Sequence, residues 1–136
     1  MFEQVNEVAV LVTAILSSAI GSIWYSPLVF GSAWMRSADL TMGLDGISQK
    51  GLIRSVGKTI VVQSIFFFVI ALFFSEQQNA GMSLLAVGFF LTLLLSSVVA
   101  GSVIWEKHSM TYFFIHIGYI AISVFGGITI LSFWPW

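Results

Sequence analysis

The sequence predicts an all-α integral membrane protein, with four transmembrane helices and a short helix along the cytoplasmic membrane surface. Hydrophobic residues make up 58% of the 136 residues and charged residues only 8%, whereas roughly a quarter of the residues in soluble domains are charged. The mean hydropathy is +1.00. The apolar residues form four long runs, and every basic residue lies between two of these runs. We therefore expect a single membrane domain over residues 1–136.

The first predicted span covers residues 8–24, near the lower limit of roughly 17–25 residues that cross a bilayer. The N-terminus before it has no basic residue, so we interpret this run as a retained span and not as a cleaved signal. Pro27 is expected to end or kink its helix. In segment 28–38, apolar residues alternate with small and polar ones at helical spacing, which predicts the interfacial helix.

The second predicted span, residues 59–74, is short and is expected to continue a helix that begins at about residue 46. Asp45 is a suitable N-cap for this helix. The polar residues 76–79 predict a turn after it. Two longer apolar runs complete the four spans, at residues 81–105 and 111–134.

The positions of the basic residues predict the orientation of the spans. The connection 25–58 holds four of the five basic residues and the turn 106–110 holds the fifth, and both connections fall on one side. Because cytoplasmic loops carry an excess of Lys and Arg, we place this side in the cytoplasm and both termini outside it. Lys50, Arg54 and Lys58 share one helix face, from which they can reach lipid headgroups. The predicted location is a plasma membrane, as a multi-pass protein.

The bend after the first span has an unusual composition. It reads Trp-Tyr-Ser-Pro-Leu-Val-Phe-Gly, and a further Trp follows. This stretch resembles the signature of the small bacterial membrane proteins grouped as domain-of-unknown-function family 1761. The resemblance implies a four-helix membrane fold without an established activity, and it implies the bacterial inner (plasma) membrane as the location. The residues that carry the bend are Trp24, Tyr25, Ser26, Pro27, Phe30, Gly31 and Trp34.

The aromatic residues of this bend have two interpretations. Trp24, Tyr25, Phe30 and Trp34 could line a cavity for an apolar or cationic small molecule. Alternatively, they form an anchor belt, with indole and phenol groups at the level of the headgroups.

An internal similarity suggests a further feature of the architecture. Residues 16–24 of the first span resemble residues 95–105 of the third, which predicts two tandem helix pairs in parallel orientation. The alternative is that any close-packed helix ending at an interface uses such residues. In either case small residues recur every fourth position, so the first and third spans are expected to meet, within one chain or between copies. These packing residues are Ser17, Gly21, Ser97 and Gly101.

The last predicted span carries a polar face. Spacings of four, three and four residues place its polar side chains on one side of the helix. A glutamine at similar depth in the second span and two serines extend this face to a predicted polar cluster: His116, Gln63, Tyr112, Tyr119, Ser123, Ser22 and Ser102.

His116 has two interpretations within this cluster. It could bind a substrate, relay a proton or coordinate a metal together with a neighbouring copy. Alternatively, a neutral His116 hydrogen-bonded to Gln63 or to a tyrosine would join two helices, each such bond being worth around 0.6 kcal/mol in membranes. The histidine lacks the spacing of a metal-ligand set, so we predict no metal site.

Several function classes are disfavoured by what the sequence lacks. No Asp, Glu, Lys or Arg lies in the middle of a span, which argues against a proton-coupled antiporter. The sequence has no Ser-His-acid set, no HExxH, no paired acids and no phosphate-binding glycine loop, so we expect neither an enzyme nor a cofactor. The net charge of −1 gives no reason to expect nucleic acid.

Two functions remain. The first is a small oligomeric pore or facilitator for an ion or small solute, lined by polar or small residues of the first or fourth span. The alternative is a structural or accessory subunit of a membrane complex without transport activity. Both predict contacts with membrane lipids and either a homo-oligomer or a membrane-protein partner, because four short spans bury little surface within one chain.

Overall fold

The computed structural model describes residues 5–38, 49–79 and 81–134. These ranges contain helices and turns and no strand. Four of the helices are long and apolar enough to cross a membrane, which confirms the predicted fold class. A seven-residue helix lies between the first two of them. The helices are α1 (Glu7–Trp24), α2 (Gly31–Ser37), α3 (Gln49–Asn79), α4 (Leu84–Glu106) and α5 (Met110–Phe133).

Polar side chains define where three of these helices begin. The side-chain oxygen of Asn6 accepts hydrogen bonds from the first backbone N–H groups of α1, at 3.1 Å. Ser83 caps α4 and Ser109 caps α5 in the same way. Each cap satisfies a backbone donor that has no partner inside its helix. At the other end, α1 stops at Trp24, before Pro27, as the sequence predicts.

The helix α3 ends five residues later than the predicted span, which closes at residue 74. Its 31 residues correspond to about 46 Å, which exceeds the roughly 30 Å thickness of a hydrocarbon core. The turn predicted at residues 76–79 is wrong, because the helix continues through Asn79. Glu and Gln have good helix propensity, and no Gly or Pro occurs between Gly57 and Gly81. The predicted cap Asp45 lies outside the described residues.

The helix α5 is the centre of the bundle. It packs against α1, α2 and α4 and touches α3, while α1 packs along α3. In contrast, α3 and α4 contact each other little. The buried core occupies the end of the bundle where α1 and α4 begin and α3 and α5 end. Its residues include Ala9, Ala14, Phe67, Ala71, Val87, Val124, Ile128 and Leu131. The opposite end is packed less completely, and the cavities described below lie there.

Glycines in this bundle make room for aromatic rings. A Cβ atom added at Gly118 would lie 2.8 Å from the Trp24 ring, and one added at Gly21 would lie 2.9 Å from the Tyr119 hydroxyl. In these two pairs α1 and α5 each supply one glycine and one ring. Two similar pairs join other helices: Gly88 with Phe125 and Gly127 with Phe67.

The predicted contact between the first and third spans does not form within the chain. Among the described helices, α1 packs on α3 and α5, not on α4. Gly21 receives the Tyr119 ring, whereas nothing lies within 4 Å of a Cβ atom added at Gly101, and Ser97 is exposed. A small residue can accept a ring as readily as a second backbone, and the sequence pattern does not separate the two. A contact between copies through Ser97 and Gly101 stays a prediction.

Candidate functional site

The bend between α1 and α2 is held by its own backbone. The Phe30 N–H donates to the Trp24 carbonyl over 3.1 Å, and the Gly31 N–H donates to the Ser26 carbonyl over 2.8 Å. The Ser26 hydroxyl donates to the carbonyl of Ile23 over 2.7 Å. A side chain at Gly31 would overlap the backbone of Ser26, so only glycine permits this close return of the chain. The bend therefore places α2 against the start of α5.

Trp24 attaches the end of α1 to α5. Its indole N–H donates to the backbone carbonyl of Ile115 over 3.1 Å, and its ring lies over Gly118. The Phe30 ring packs on it, with the ring centres 4.6 Å apart. This inward packing differs from both sequence interpretations of Trp24, because the ring joins two helices of the same chain. Trp24 and Ile115 are 91 residues apart in the sequence, and a single sequence gives no indication of a contact over such a separation.

Five rings form a continuous series from the α4–α5 turn into the bundle, which we call the ring column. The His108 and Tyr112 centres are 4.2 Å apart, and those of Tyr112 and His116 are 4.1 Å apart. Tyr25 lies 5.6 Å from His116 and 5.4 Å from Tyr119. The sequence predicted three of these rings as one face of α5, but it assigned Tyr25 to the bend alone. Trp34 of α2 packs on Tyr25 at 5.4 Å.

His116 makes its hydrogen bond within its own helix. Its Nδ1 lies 3.0 Å from the carbonyl oxygen of Tyr112, which can only accept, so Nδ1 carries the proton. The predicted bond from His116 to Gln63 or to a tyrosine of another helix is not found among the described residues, since the bonded tyrosine, Tyr112, belongs to the same helix. Its contacts with other parts of the chain are instead through the ring column. The arrangement leaves Nε2 as the atom of His116 that can accept a proton or a hydrogen bond.

Tyr25 follows α1 directly and, like His108, lies outside the spans. Burial raises the pKa of its phenol, and the nearby Tyr119 and Tyr112 add to this rise. The phenol therefore stays protonated and uncharged at physiological pH. Tyr25 contributes a neutral ring and a hydroxyl donor to the site.

The hydroxyl of Tyr119 is the point where three helices meet. The Gln63 amide of α3 donates to it over 2.9 Å, and the hydroxyl donates to the Ser17 carbonyl of α1 over 3.4 Å. The sequence predicts Gln63 at a depth similar to that of His116, whereas its bond is to Tyr119, about one helical turn further along α5. The hydroxyl accepts one hydrogen bond and donates another, so both its oxygen and its hydrogen are paired in surroundings with little water.

A cavity of about 540 Å³ lies beside this bond, between α3, α4 and α5. It occupies the space where α3 and α4 separate. Gln63, Tyr119 and Ser123 supply polar atoms to the cavity. Lys58 and Thr59 line it at the end nearest the start of α3. The Ser123 hydroxyl is buried and has no hydrogen-bond partner within the described residues. The remaining lining is apolar: Val62, Phe66, Leu95, Val98, Val99, Ile120 and Val124.

The other predicted residues lie apart from this cavity. The hydroxyl of Ser22 donates to the Ser18 carbonyl over 2.9 Å, and that of Ser102 donates to the Val99 carbonyl over 2.9 Å, each within its own helix. Arg54 is exposed on α3, one turn before Lys58. The side chain of Lys50 lies outside the described residues. The cavity thus unites Gln63, Tyr119 and Ser123 from the predicted polar cluster, with His116 connected to it through Tyr25.

Comparison with known proteins assigns the chain to a family. The family model described as "Protein of unknown function (DUF1761)" matches residues 8–132, which include the bend, the ring column and the cavity. Comparisons with curated proteins and with solved structures gave no match. The match covers nearly the whole chain, and the chain therefore belongs to the DUF1761 family of proteins of unknown function.

Proposed function

We propose that this chain is a non-enzymatic, oligomeric facilitator that carries a small uncharged solute with an apolar body and a polar end. The observation that supports the proposal is the cavity between α3, α4 and α5. Its size of about 540 Å³ falls in the range of roughly 300–1,000 Å³ that is typical of small-molecule sites. Apolar walls with a few polar groups at one place are also typical of such sites.

The lining favours an uncharged solute over an ion. An ion that leaves water loses hydration worth on the order of tens of kcal/mol, and apolar walls return little of it. Gln63, Tyr119 and Ser123 can instead exchange hydrogen bonds with one or two polar atoms of a solute. A purely apolar solute would cross the bilayer unaided, so the polar end is the part that needs a protein. The lining therefore restricts the predicted pore or facilitator for an ion or small solute to a facilitator for small uncharged solutes.

The proposed orientation places the start of α3 in the cytoplasm of a bacterium, with the chain in the inner membrane and both termini outside. The support is the distribution of basic residues, which follows the positive-inside bias. In this orientation Lys58 lies at the cytoplasmic mouth of the cavity and α2 lies along the cytoplasmic surface. The packed core then occupies the outer half and closes the bundle on that side.

The proposed assembly is a homo-oligomer in which α4 faces a second copy. Among its described neighbours, α4 has its main contact with α5. Its outer face carries Ser97, which is exposed, and Gly101, where an added Cβ atom would have no neighbour within 4 Å. Small residues four positions apart allow close approach between helices in lipid. A second copy on this face would also lie beside Val98, which lines the cavity.

A flux measurement tests the proposal. Purified protein is inserted into liposomes, and osmotic swelling is followed by light scattering with glycerol, urea and their alkyl derivatives. We expect at least one of these solutes to enter faster than it enters protein-free liposomes. Val62→Trp should remove most of this increase, because Val62 lines the cavity and has space for a larger side chain, being 64% exposed.

Val61→Trp is the matched control, since Val61 is 60% exposed on the same helix and does not line the cavity. It should retain the flux. Equal fluxes in the two variants would contradict the cavity as the route. If no solute in the series enters faster than it enters protein-free liposomes, with insertion of the protein verified, the facilitator proposal fails. The accessory-subunit interpretation would then be preferred.

A further inference from the structure

A second cavity, of about 420 Å³, lies where α2 approaches the turn between α4 and α5. It is separate from the cavity of the proposed solute site and shares no lining residue with it. Two cationic side chains and three hydroxyl groups surround this space. The lining residues are Ala33, Arg36, Ser37, Lys107, Ser109 and Thr111.

The two cations have no acidic partner within the part of the chain that the structure describes. Arg36 and Lys107 come from segments about seventy residues apart, and both are exposed toward the cavity surface. Glu106, the neighbour of Lys107 in sequence, contacts His108 instead, with its Oε2 2.9 Å from the His108 Nε2. Two like charges that line one space concentrate counter-ions there. The cavity is therefore suited to an anion.

The Ser37 hydroxyl donates to the Trp34 carbonyl over 2.8 Å, and the other two hydroxyl groups can donate to such an anion. The Ser109 hydroxyl oxygen accepts a hydrogen bond from the Tyr112 N–H at 3.3 Å, which leaves its own hydrogen to donate. Thr111 adds a second hydroxyl to the lining. The cavity also adjoins the beginning of α5, where the helix dipole of a 24-residue helix adds a partial positive charge.

The backbone at Lys107 gives independent support for a role of its side chain. Lys107 ends α4 with φ 58° and ψ 31°, the left-handed conformation that glycine adopts most easily. Among the described residues it is the non-glycine residue with positive φ. A turn alone would be better served by glycine, because a Cβ atom is unfavourable in this conformation. We attribute the presence of lysine instead of glycine at this position to its charged side chain.

We propose that Arg36 and Lys107 hold a phosphate group in this cavity. The planar guanidinium of Arg36 can donate two parallel hydrogen bonds to two phosphate oxygens, and the Lys107 ammonium supplies a compact charge. The site lies next to the end of the apolar α4 span, at the level where lipid headgroups are found. The phosphate can belong to an anionic phospholipid or to a soluble phosphate ester, since the recognising groups are the same.

Binding to the full-length protein in a maltoside detergent, which contains no phosphate, tests this site. The probes are inorganic phosphate and a short-chain phosphatidylglycerol, each followed by titration calorimetry and by the ligand-dependent rise in Tm. We expect saturable binding of at least one probe. Arg36→Gln and Lys107→Gly should each weaken it by roughly tenfold or more, the value of one lost charge-assisted hydrogen bond. Binding of phosphate alone indicates a soluble source, and binding of the lipid but not of phosphate indicates a headgroup site.

Two features of the design separate binding from folding and from net charge. Lys107→Gly fits the left-handed backbone, so its Tm without ligand should equal or exceed that of the unchanged protein. Arg54→Gln removes the same charge from an exposed position outside the cavity and should leave the affinity unchanged. The proposal is overturned if neither probe binds, or if Arg36→Gln and Lys107→Gly lose no more affinity than Arg54→Gln.

Discussion

The amide of Gln63 donates a hydrogen bond to the hydroxyl of Tyr119 over 2.9 Å, and this bond joins α3 to α5 at the edge of the cavity between α3, α4 and α5. The same hydroxyl reaches the Ser17 carbonyl of α1. One tyrosine therefore links three spans and presents its ring to the ring column. The Tyr119 side chain can lie against α1 because residue 21 is glycine, and any larger residue there would overlap the tyrosine.

Tyr119→Phe should destabilise the bundle by about 1 kcal/mol, since it removes two hydrogen bonds between helices, each worth around 0.6 kcal/mol in a membrane. The control is Tyr112→Phe, whose hydroxyl has no hydrogen-bond partner within the described residues. It should change the free energy of unfolding by less than about 0.5 kcal/mol. Reversible unfolding in mixed micelles measures both. Equal losses in the two variants would show that the Tyr119 hydroxyl does not join the helices.

Gly127→Ala should destabilise the protein by roughly 1–3 kcal/mol, because the added methyl group overlaps the buried Phe67 ring. The adjacent Gly126→Ala provides the control, as nothing lies within 4 Å of its added carbon. This control should be neutral or stabilising by up to about 1 kcal/mol, given the better helix propensity of alanine. Unfolding free energies of the two variants, measured side by side, test whether the ring fills this space.

Trp24→Phe should loosen the junction of α1 and α5, since it keeps an aromatic ring over Gly118 but removes the N–H that binds the Ile115 carbonyl. We expect a loss of about 0.6 kcal/mol and faster hydrogen exchange at the end of α1. Trp105→Phe serves for comparison, because Trp105 is 86% exposed on α4. If exchange at the end of α1 stays as slow in Trp24→Phe as in Trp105→Phe, the indole bond does not hold this junction.

Gly101→Leu should convert the proposed oligomer to a smaller species without unfolding it. The leucine side chain would prevent close approach of α4 to a second copy, while a Cβ atom added at Gly101 touches nothing inside its own chain. Native mass measurement in mild detergent reports the copy number, and circular dichroism reports the helix content. Gly57→Leu on α3 is the matched change, at a glycine that is equally open. An unaltered mass for Gly101→Leu would rule out this face as the interface.

The helical architecture could be predicted because membrane spans depend on local composition. A run of apolar residues is stable in lipid only as a helix that satisfies its own backbone, so hydropathy alone indicates four spans. Helix ends were harder to place. Asn6, Ser83 and Ser109 fit the rules for helix caps, but residues 76–79 continue α3 where their polarity suggested a turn.

The site could be predicted only in part. The spacing from Tyr112 to Ser123 predicts four polar residues on one face of α5, because a helix repeats every 3.6 residues. That spacing does not say which helix this face meets. The bond of Gln63 to Tyr119, and not to His116, depends on how far α3 is rotated and shifted against α5.

The sequence by itself determined that this chain folds as four long apolar helices, that its basic residues lie between its apolar runs, and that α1 ends before Pro27. Those properties depend on residues close in sequence and on the free-energy cost of moving charged and polar groups out of water. Only the tertiary structure decided that Gly21 receives Tyr119 instead of α4, and that Trp24 binds α5. It also brought Arg36 and Lys107 to one cavity. Helices in lipid associate through shape and a few hydrogen bonds, and many pairings suit a single pattern of small residues.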